Sequence, residues 1–343
     1  MISTAEQHVS LLALAAGYAQ KQGRSATHIM AQAMDALRQL AMNESAKAMC
    51  ETNPLLKKLM QKISRRYIAG ETTDEVISRL RAIRARGHAT SAELMGESCR
   101  DEARANHATE TFLQLIAQLN AYDIPCSISL DLSHIGSVID PELGDHNVRR
   151  IAVAAAESDR ELMISMESSE RTDQILASYV KLHEDQHMDF SNVGITIQAR
   201  LHRTTTDFAS MLAYPGRIRL VKGAYFEPAD HAYERDSAEL FSAYLDYART
   251  LLTSGHKCSI ATHDNSIQQA LVAFIKQEGI RSGAFEFESL IGLGTQQIDD
   301  LHAQGFATRE YAVYGDEYFL YVLNRIAEDP LRLYQAIVDA CGA

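Results

Sequence analysis

Ile218-Arg219-Leu220-Val221-Lys222-Gly223-Ala224-Tyr225 reads as a buried strand that runs out into a functional edge. Ile218 to Val221 is a short apolar run with one cation set into it. Gly223 then allows the backbone to approach a ligand closely. Arg219, Lys222 and the Tyr225 phenol fall within seven residues. In a barrel of parallel strands, chemistry is done at the strand C-termini, so this stretch marks both an architecture and a site.

Outward from it, β-rich runs alternate with helical ones. Strands are expected near Cys126–Leu132, Glu161–Met166, Val193–Ala199, Arg217–Val221, Lys257–Thr262, Ala284–Phe287 and Ala307–Val313. Helices such as Asp236–Thr253 and Ile267–Glu278 separate them. Repeated strand–helix units imply a parallel sheet with right-handed crossovers. No G-x-G-x-x-G follows a strand, which disfavours a dinucleotide-binding open sheet. The expected fold is an α/β (β/α)8 TIM-like barrel, although an eighth strand cannot be placed. Residues 1–120, dominated by Ala, Leu, Met, Gln, Glu and Arg with apolar residues three and four apart, read as an N-terminal helical extension without strands. Residues 121–343 read as the catalytic barrel with a closing helix, Glu317 to Glu328, stopped by Asp329-Pro330.

A net charge of −12 over 343 residues leaves no broad basic surface for nucleic acid. Five scattered cysteines without CxxC spacing indicate reduced thiols and a cytoplasmic setting. The first twenty residues lack the pattern of a signal peptide, and Leu11–Ala16 is too short to cross a bilayer. Peripheral contact with an inner membrane stays open.

Polar clusters close four consecutive strands. They are Gln198 with Arg200, His202 and Arg203; Arg219, Lys222 and Tyr225; Thr262-His263-Asp264-Asn265; and Glu286-Phe287-Glu288. One such residue is more often a hydrogen-bonding core group than a ligand. Four clusters on one rim call for a large polar ligand. His263, Asp264, Glu286 and Glu288 are metal-ligand types, but none has the spacing of a metal motif, so no metal is expected. No G-x-S-x-G elbow occurs. Arg203, Arg219 and Lys222 suit an anionic, phosphate-bearing ligand. On the closing helix Tyr321, Asn324, Arg325 and Glu328 share one face, opposite Phe319, Val322, Leu323 and Ile326.

These residues together resemble the flavin-dependent proline dehydrogenases, whose fold is a distorted (β/α)8 barrel. The resemblance runs from Arg66 to Pro330. It rests on Tyr67-Ile68-Ala69-Gly70-Glu71, Leu94-Met95-Gly96-Glu97-Ser98, Gln198-Ala199, Arg219 to Tyr225, Ala261-Thr262-His263-Asp264, Phe285-Glu286-Phe287, Tyr311-Ala312-Val313-Tyr314-Gly315 and the closing helix. It implies non-covalent FAD held by Gln198, Arg219, Val221, Lys222, Gly223, Ala224, Thr262, His263 and Asp264. Arg219 would lie near the flavin N5, where a cation stabilises the charge gained with a hydride. Tyr225, Tyr311 and Tyr321 would line the substrate pocket, with Leu290 against the substrate and a quinone as electron acceptor.

The substrate half departs from the family. Where the family carries a lysine on its first barrel strand, this chain has Asp131; where the second strand carries an aspartate, it has Ser165. The family's paired arginines on the last helix become Asn324-Arg325, with Glu328 kept. Losing a bidentate guanidinium–carboxylate contact costs about 1.5–3 kcal/mol. A carboxylate facing another at ~4–6 Å adds about 1–3 kcal/mol of repulsion. The resemblance therefore implies hydride transfer from carbon next to nitrogen to flavin, giving an imine. The substrate is proline or, preferred on these exchanges, a proline ester, amide or thioester or a related amine. Asp131 paired with Arg325 is the bland alternative. A non-catalytic flavin-binding homologue serving as partner or regulator, and a flavin-free barrel acting on a phosphate ligand, are the competing readings.

Overall fold

The computed structural model describes residues 26–225, 227–281 and 283–342. In chain order the helices and strands are α1 (Ala26–Ala41), α2 (Glu44–Thr52), α3 (Pro54–Ser64), α4 (Thr73–Ala85), β1 (Ala89–Leu94), α5 (Glu102–Ala121), β2 (Ser127–Leu130), α6 (Pro141–Glu157), β3 (Leu162–Ile164), α7 (Thr172–His183), β4 (Val193–Gln198), α8 (Thr204–Met211), β5 (Ile218–Val221), α9 (Ala238–Ser254), β6 (Cys258–Ala261), α10 (Asn265–Glu278), β7 (Phe285–Leu290), α11 (Thr295–Ala303), β8 (Thr308–Tyr314), α12 (Tyr318–Ile326) and α13 (Pro330–Cys341). Contacts group them into a barrel unit, Ala69–Gly315, and a helical unit built from the chain before Ala69 and after Gly315.

The barrel closes in the order β1 to β8, every neighbouring pair parallel. Its register sets Arg219 beside Thr196 and Ser259, and Leu290 beside Tyr311. Alternation along each strand explains the packing. Ile128, Ile195, Leu220, Ile260 and Phe287 face the surrounding helices and join one apolar cluster with Leu80, Phe112, Ile151, Leu251 and Leu271. Each such side chain contributes about 1.5–3 kcal/mol on burial. The residues between them, including Glu93, Ser129, Thr196, Arg219, Ser259 and Glu288, are polar yet buried, and they fill the barrel interior.

The expected barrel is therefore present, with two corrections. The missing strand is β1, within the segment read as entirely helical, because Ala, Glu and Leu in Ala89–Leu94 favour helices intrinsically. The barrel's own register overrides that preference: six residues of β1 pair with β8. The strands bearing Asp131 and Ser165 are accordingly the second and third, not the first and second. Contacts group the chain into units meeting at Ala69 and Gly315.

Helix ends follow local chemistry. Thr72 and Glu75 form a capping box at α4. Asp264 caps α10 by accepting from the Ser266 and Ile267 N–H groups. Within the helical unit, Ala41, Phe319 and Leu323 make a small core. Arg66 forks onto Asp339 at 2.6 and 2.7 Å, and the Arg38 guanidinium donates to the Ala327 carbonyl at 2.9 Å. α13 lies beyond the helix expected to close the chain; Pro330 stops α12 and occupies the first turn of α13. Among the described residues no helix is long and apolar enough to cross a membrane.

Candidate active site

Arg219 organises the barrel interior. Its guanidinium contacts three strands that do not adjoin β5. Nε and Nη2 fork onto Glu288 of β7 at 3.1 and 2.9 Å, Nη2 donates to Ser129 of β2 at 2.9 Å, and the Tyr311 ring of β8 lies 4.6 Å away. Those contacts can be made only across the interior. A guanidinium buried this deeply needs such a fork, because an unpaired charge there is strongly disfavoured.

A second group is built on Glu93. Its carboxylate accepts from the Tyr311 hydroxyl and, at 3.2 Å, from the Ser165 hydroxyl. Burial is the main cause that pushes Glu93 up to about 7; Arg219 and the Ser165 hydroxyl oppose the rise, and Glu167 and Glu97 add to it. Asp131 is held well above the usual carboxylate range, by burial first and then by Glu93, Glu167 and Glu97, with Arg171 opposing. Part of Asp131 remains accessible to solvent, and the acidic surroundings of the mouth add to the effect of burial on its charge. The same four carboxylates raise the Tyr225 phenol further after burial, which places Tyr225 at this mouth. Glu167 is committed: Arg171 donates to it, as does the Ser133 N–H at 3.0 Å. Arg171 is thus held by Glu167, and Arg219 by Glu288.

Deeper in the barrel a separate network is complete in itself. Arg309 donates to Glu286 at 2.7 Å, to the Thr90 carbonyl at 2.8 Å and to Ser127 at 2.8 Å, and Ser259 donates to Glu286 at 2.6 Å. Glu286 read as a strand-end ligand type, but β7 continues to Leu290, so Glu286 lies near the strand start and serves the core.

At the opposite side of the rim stand the residues assigned to a cofactor. Gln198 is buried; its amide N–H donates to the Glu167 carbonyl at 2.6 Å, while its Oε1 is buried without a hydrogen-bond partner. Gly223 has φ +114°, and a Cβ there would stand 2.7 Å from that same Oε1. A buried acceptor facing a backbone that only glycine can form is a cradle for a planar ligand bearing an N–H donor, which fits the ring of a flavin. Lys222 bridges Asp236 at 3.0 Å and Asp264 at 3.2 Å. His263 Nε2 accepts the Leu290 N–H at 3.1 Å, and the Thr262 hydroxyl accepts the Asp264 N–H at 3.1 Å. Val221 closes β5, and the Ala224 carbonyl accepts from Arg235. Arg203, expected to meet a phosphate, is tied to Asp173 and Asp207.

The remaining sequence-derived site residues belong to α12 in the helical unit. Arg325 pairs with Glu328 at 2.9 Å, its guanidinium is 5.4 Å from the Tyr321 ring centroid, and Arg332 pairs with Glu328 at 2.7 Å. Phe319, Val322, Leu323 and Ile326 are buried and Asn324 is half-buried, so the two faces are those expected. Sequence reading missed Glu93, Ser129 and Arg171. Gly87 and Gly96 bracket the run that holds Glu93, but Ala89–Leu94 itself does not alternate, so no local signal marked it.

The fold and mouth define a (β/α)8-barrel enzyme whose chemistry sits at the strand C-termini. The proline dehydrogenase family profile matches residues 76–328, and the chain belongs to that family. It is 31% identical over 283 residues to the proline dehydrogenase of Deinococcus radiodurans, covering 82% of this chain and 90% of that one. It is 29% identical over 268 residues to proline dehydrogenase 1 of Bacillus subtilis (strain 168), covering 78% and 87%. Proline utilization A from Bdellovibrio bacteriovorus, inactivated by N-propargylglycine, superposes with a TM-score of 0.74 at 21% identity over 80% of this chain. The chain spans 33% of that structure's length, and the likeness establishes the fold alone. Members of the family are flavoprotein oxidoreductases acting on CH–NH groups, and this chain is an oxidoreductase of that class.

Proposed function

We propose that the protein is an FAD-dependent amine dehydrogenase that oxidises a proline ester, amide or thioester, or a related amine, in preference to free proline. The observation that carries this reading is Asp131 set among Glu93, Glu97 and Glu167. A substrate carboxylate entering that mouth meets like charge. An ammonium or amide N–H meets acceptors, and a cation there draws Asp131 back toward ionisation. Asp131 is the specificity residue on this view, and Ser165 opens the space that a longer acid fills in the family pattern.

FAD would be held by Gln198, Arg219, Val221, Lys222, Gly223, Ala224, Thr262, His263 and Asp264. When bound it supplies the acceptor for a hydride from the carbon beside nitrogen. The orphaned Gln198 Oε1 and the open backbone at Gly223 support that placement. Arg219 provides fixed positive charge beside the Tyr311 ring, already desolvated and oriented, so little reorganisation attends charge arriving nearby. Tyr225 and Tyr311 supply phenols whose hydroxyls orient the amine. Leu290, paired beside Tyr311, supplies an apolar contact to the substrate. Electrons leave to a quinone-type acceptor, reached by peripheral contact with a membrane from the cytoplasmic side.

The test is anaerobic bleaching of the flavin's visible absorption by a panel of proline, proline esters and amides, and acyclic amines. Derivatives are expected to bleach it at least 10-fold faster than free proline. Rapid bleaching by free proline rejects the altered pocket. Bleaching by no member favours a non-catalytic flavin-binding role.

A further inference from the structure

We propose that Glu93 is the proton acceptor of the amine-oxidising site, acting through the hydroxyl of Tyr311. The inference rests on the amine-dehydrogenase reading and adds to it the route by which the substrate loses its proton.

The geometry comes from three strands. Glu93 is the penultimate residue of β1, Tyr311 stands on β8, and Ser165 follows β3 across the interior. Glu93 Oε2 receives both the Tyr311 and the Ser165 hydroxyls. Glu93 thus accepts from a phenol in the mouth. Glu167 is committed to Arg171 and the Ser133 N–H, and Glu288 to Arg219. Tyr311 is half-buried while Glu93 behind it is buried. The phenol is thus the part of the pair that a ligand in the mouth can reach. Arg219 packs on the same ring, which fixes the direction of its hydroxyl.

An amine must be uncharged before the bond to hydrogen on the adjacent carbon can release a hydride. In the proposed step the substrate ammonium donates a proton to Tyr311 Oη as Tyr311 passes its own proton to Glu93 Oε2. One N–H bond breaks and one O–H bond forms on the carboxylate. Tyr311 ends as it began, the amine keeps its electron pair, and a +1/−1 pair becomes two neutral groups. No oxidant enters the step. Because Glu93 works through Tyr311, it is a positioning residue, and Tyr311 is the group that touches substrate.

The groups facing Glu93 are Arg219 from β5, Tyr311 from β8, Ser165 and Glu167 from the end of β3, Glu97 from the loop after β1 and Asp131 from the end of β2. Burial and the neighbouring acids hold Glu93 at about 7, against the pull of Arg219 and Ser165. A base with that value is half-ionised near neutrality and both accepts and releases a proton readily.

The test uses the flavin-loaded protein and two readouts. Without substrate, 13C NMR of carboxyl-labelled glutamate is expected to show a carboxyl titrating near 7 that Glu93→Gln removes. In single-turnover reduction by the best amine of the panel, the wild-type rate is expected to rise with pH through the same inflection. Glu93→Gln should lose that inflection and about 10- to 100-fold of the limiting rate at pH 8, with a much smaller change in substrate affinity. Glu93→Asp should restore part of the rate and an inflection. Tyr311→Phe should also abolish the inflection, and it decides the question if Glu93→Gln fails to fold. The proposal is overturned if no glutamate carboxyl titrates between about pH 5 and 9. It is also overturned if Glu93→Gln keeps both the inflection and a rate within about twofold of wild type. A titrating Glu93 in a protein that no amine reduces overturns the proton transfer through failure of the reaction reading, while leaving the carboxyl's charge state established.

Discussion

The Arg219 guanidinium lies 4.6 Å from the centroid of the Tyr311 ring and forks at the same time onto Glu288. One planar cation therefore ties β5 to β7 and β8 across the barrel. It also faces, through Tyr311, the hydroxyl that reaches Glu93. Structural and chemical demands meet in this residue, since its charge must be buried for the site and paired for the fold.

Arg219→Lys separates the two. Lysine keeps the charge but cannot fork onto Glu288 or stack on Tyr311. Denaturant unfolding should show a loss of about 1–3 kcal/mol. Flavin reduction by the best amine should slow about 100-fold, because the fixed charge no longer has its orientation. A variant with wild-type reduction kinetics would remove Arg219 from the chemistry and leave it a core ion pair.

Gly223→Ala tests the cradle. A Cβ there stands 2.7 Å from Gln198 Oε1, and φ +114° disfavours any side chain. The strain is about 1–3 kcal/mol. Because β5 ends two residues earlier, the barrel should still close and melting should fall by only a few degrees. Flavin affinity, measured by titrating the deflavinated protein and following tyrosine fluorescence, should weaken about 10- to 100-fold. Unchanged affinity would show that the ligand does not approach this backbone.

The edge at Arg219 to Tyr225 was legible because a strand, a glycine and paired cations are local signals. The seven expected strands were legible for the same reason: β-branched residues cluster between turn residues. Ala89–Leu94 was not, since its residues favour a helix and only pairing with β8 makes them a strand. Glu93 was hidden with it, and its partner Tyr311 lies 218 residues away. Asp264 shows a different limit. It matched a motif, but sequence alone does not reveal that one of its oxygens caps α10 while the other holds Lys222.

Glu286→Gln is the complementary perturbation, aimed at the fold alone. Burial would raise Glu286, yet Arg309 and Arg217 outweigh it and hold the carboxyl below its ordinary value. A depressed folded value stabilises the protein above the unfolded value and fades as pH falls through the folded one. The wild-type advantage over Glu286→Gln should therefore be constant from about pH 7 to 5 and shrink below about 4.5. Thermal melts across that range check it, and the variant should keep the wild-type substrate ranking. A changed ranking would extend the site below Arg219.

Asp131→Lys asks whether substrate choice resides at this residue. The introduced ammonium would face Glu93, Glu97 and Glu167, the groups that now raise Asp131, so the new cation has partners and should be tolerated. The mouth would exchange an acid for a base. Removing a repulsion of about 1–3 kcal/mol should tighten free proline by about one to two orders of magnitude. Proline esters and amides should lose affinity in the same variant, because an acceptor for their positive or N–H-bearing end has gone. Anaerobic titration of flavin bleaching with both substrate types measures the exchange directly. If the ester and proline shift together, the substitution has altered packing and not charge recognition, and Asp131 is not the residue that selects the substrate.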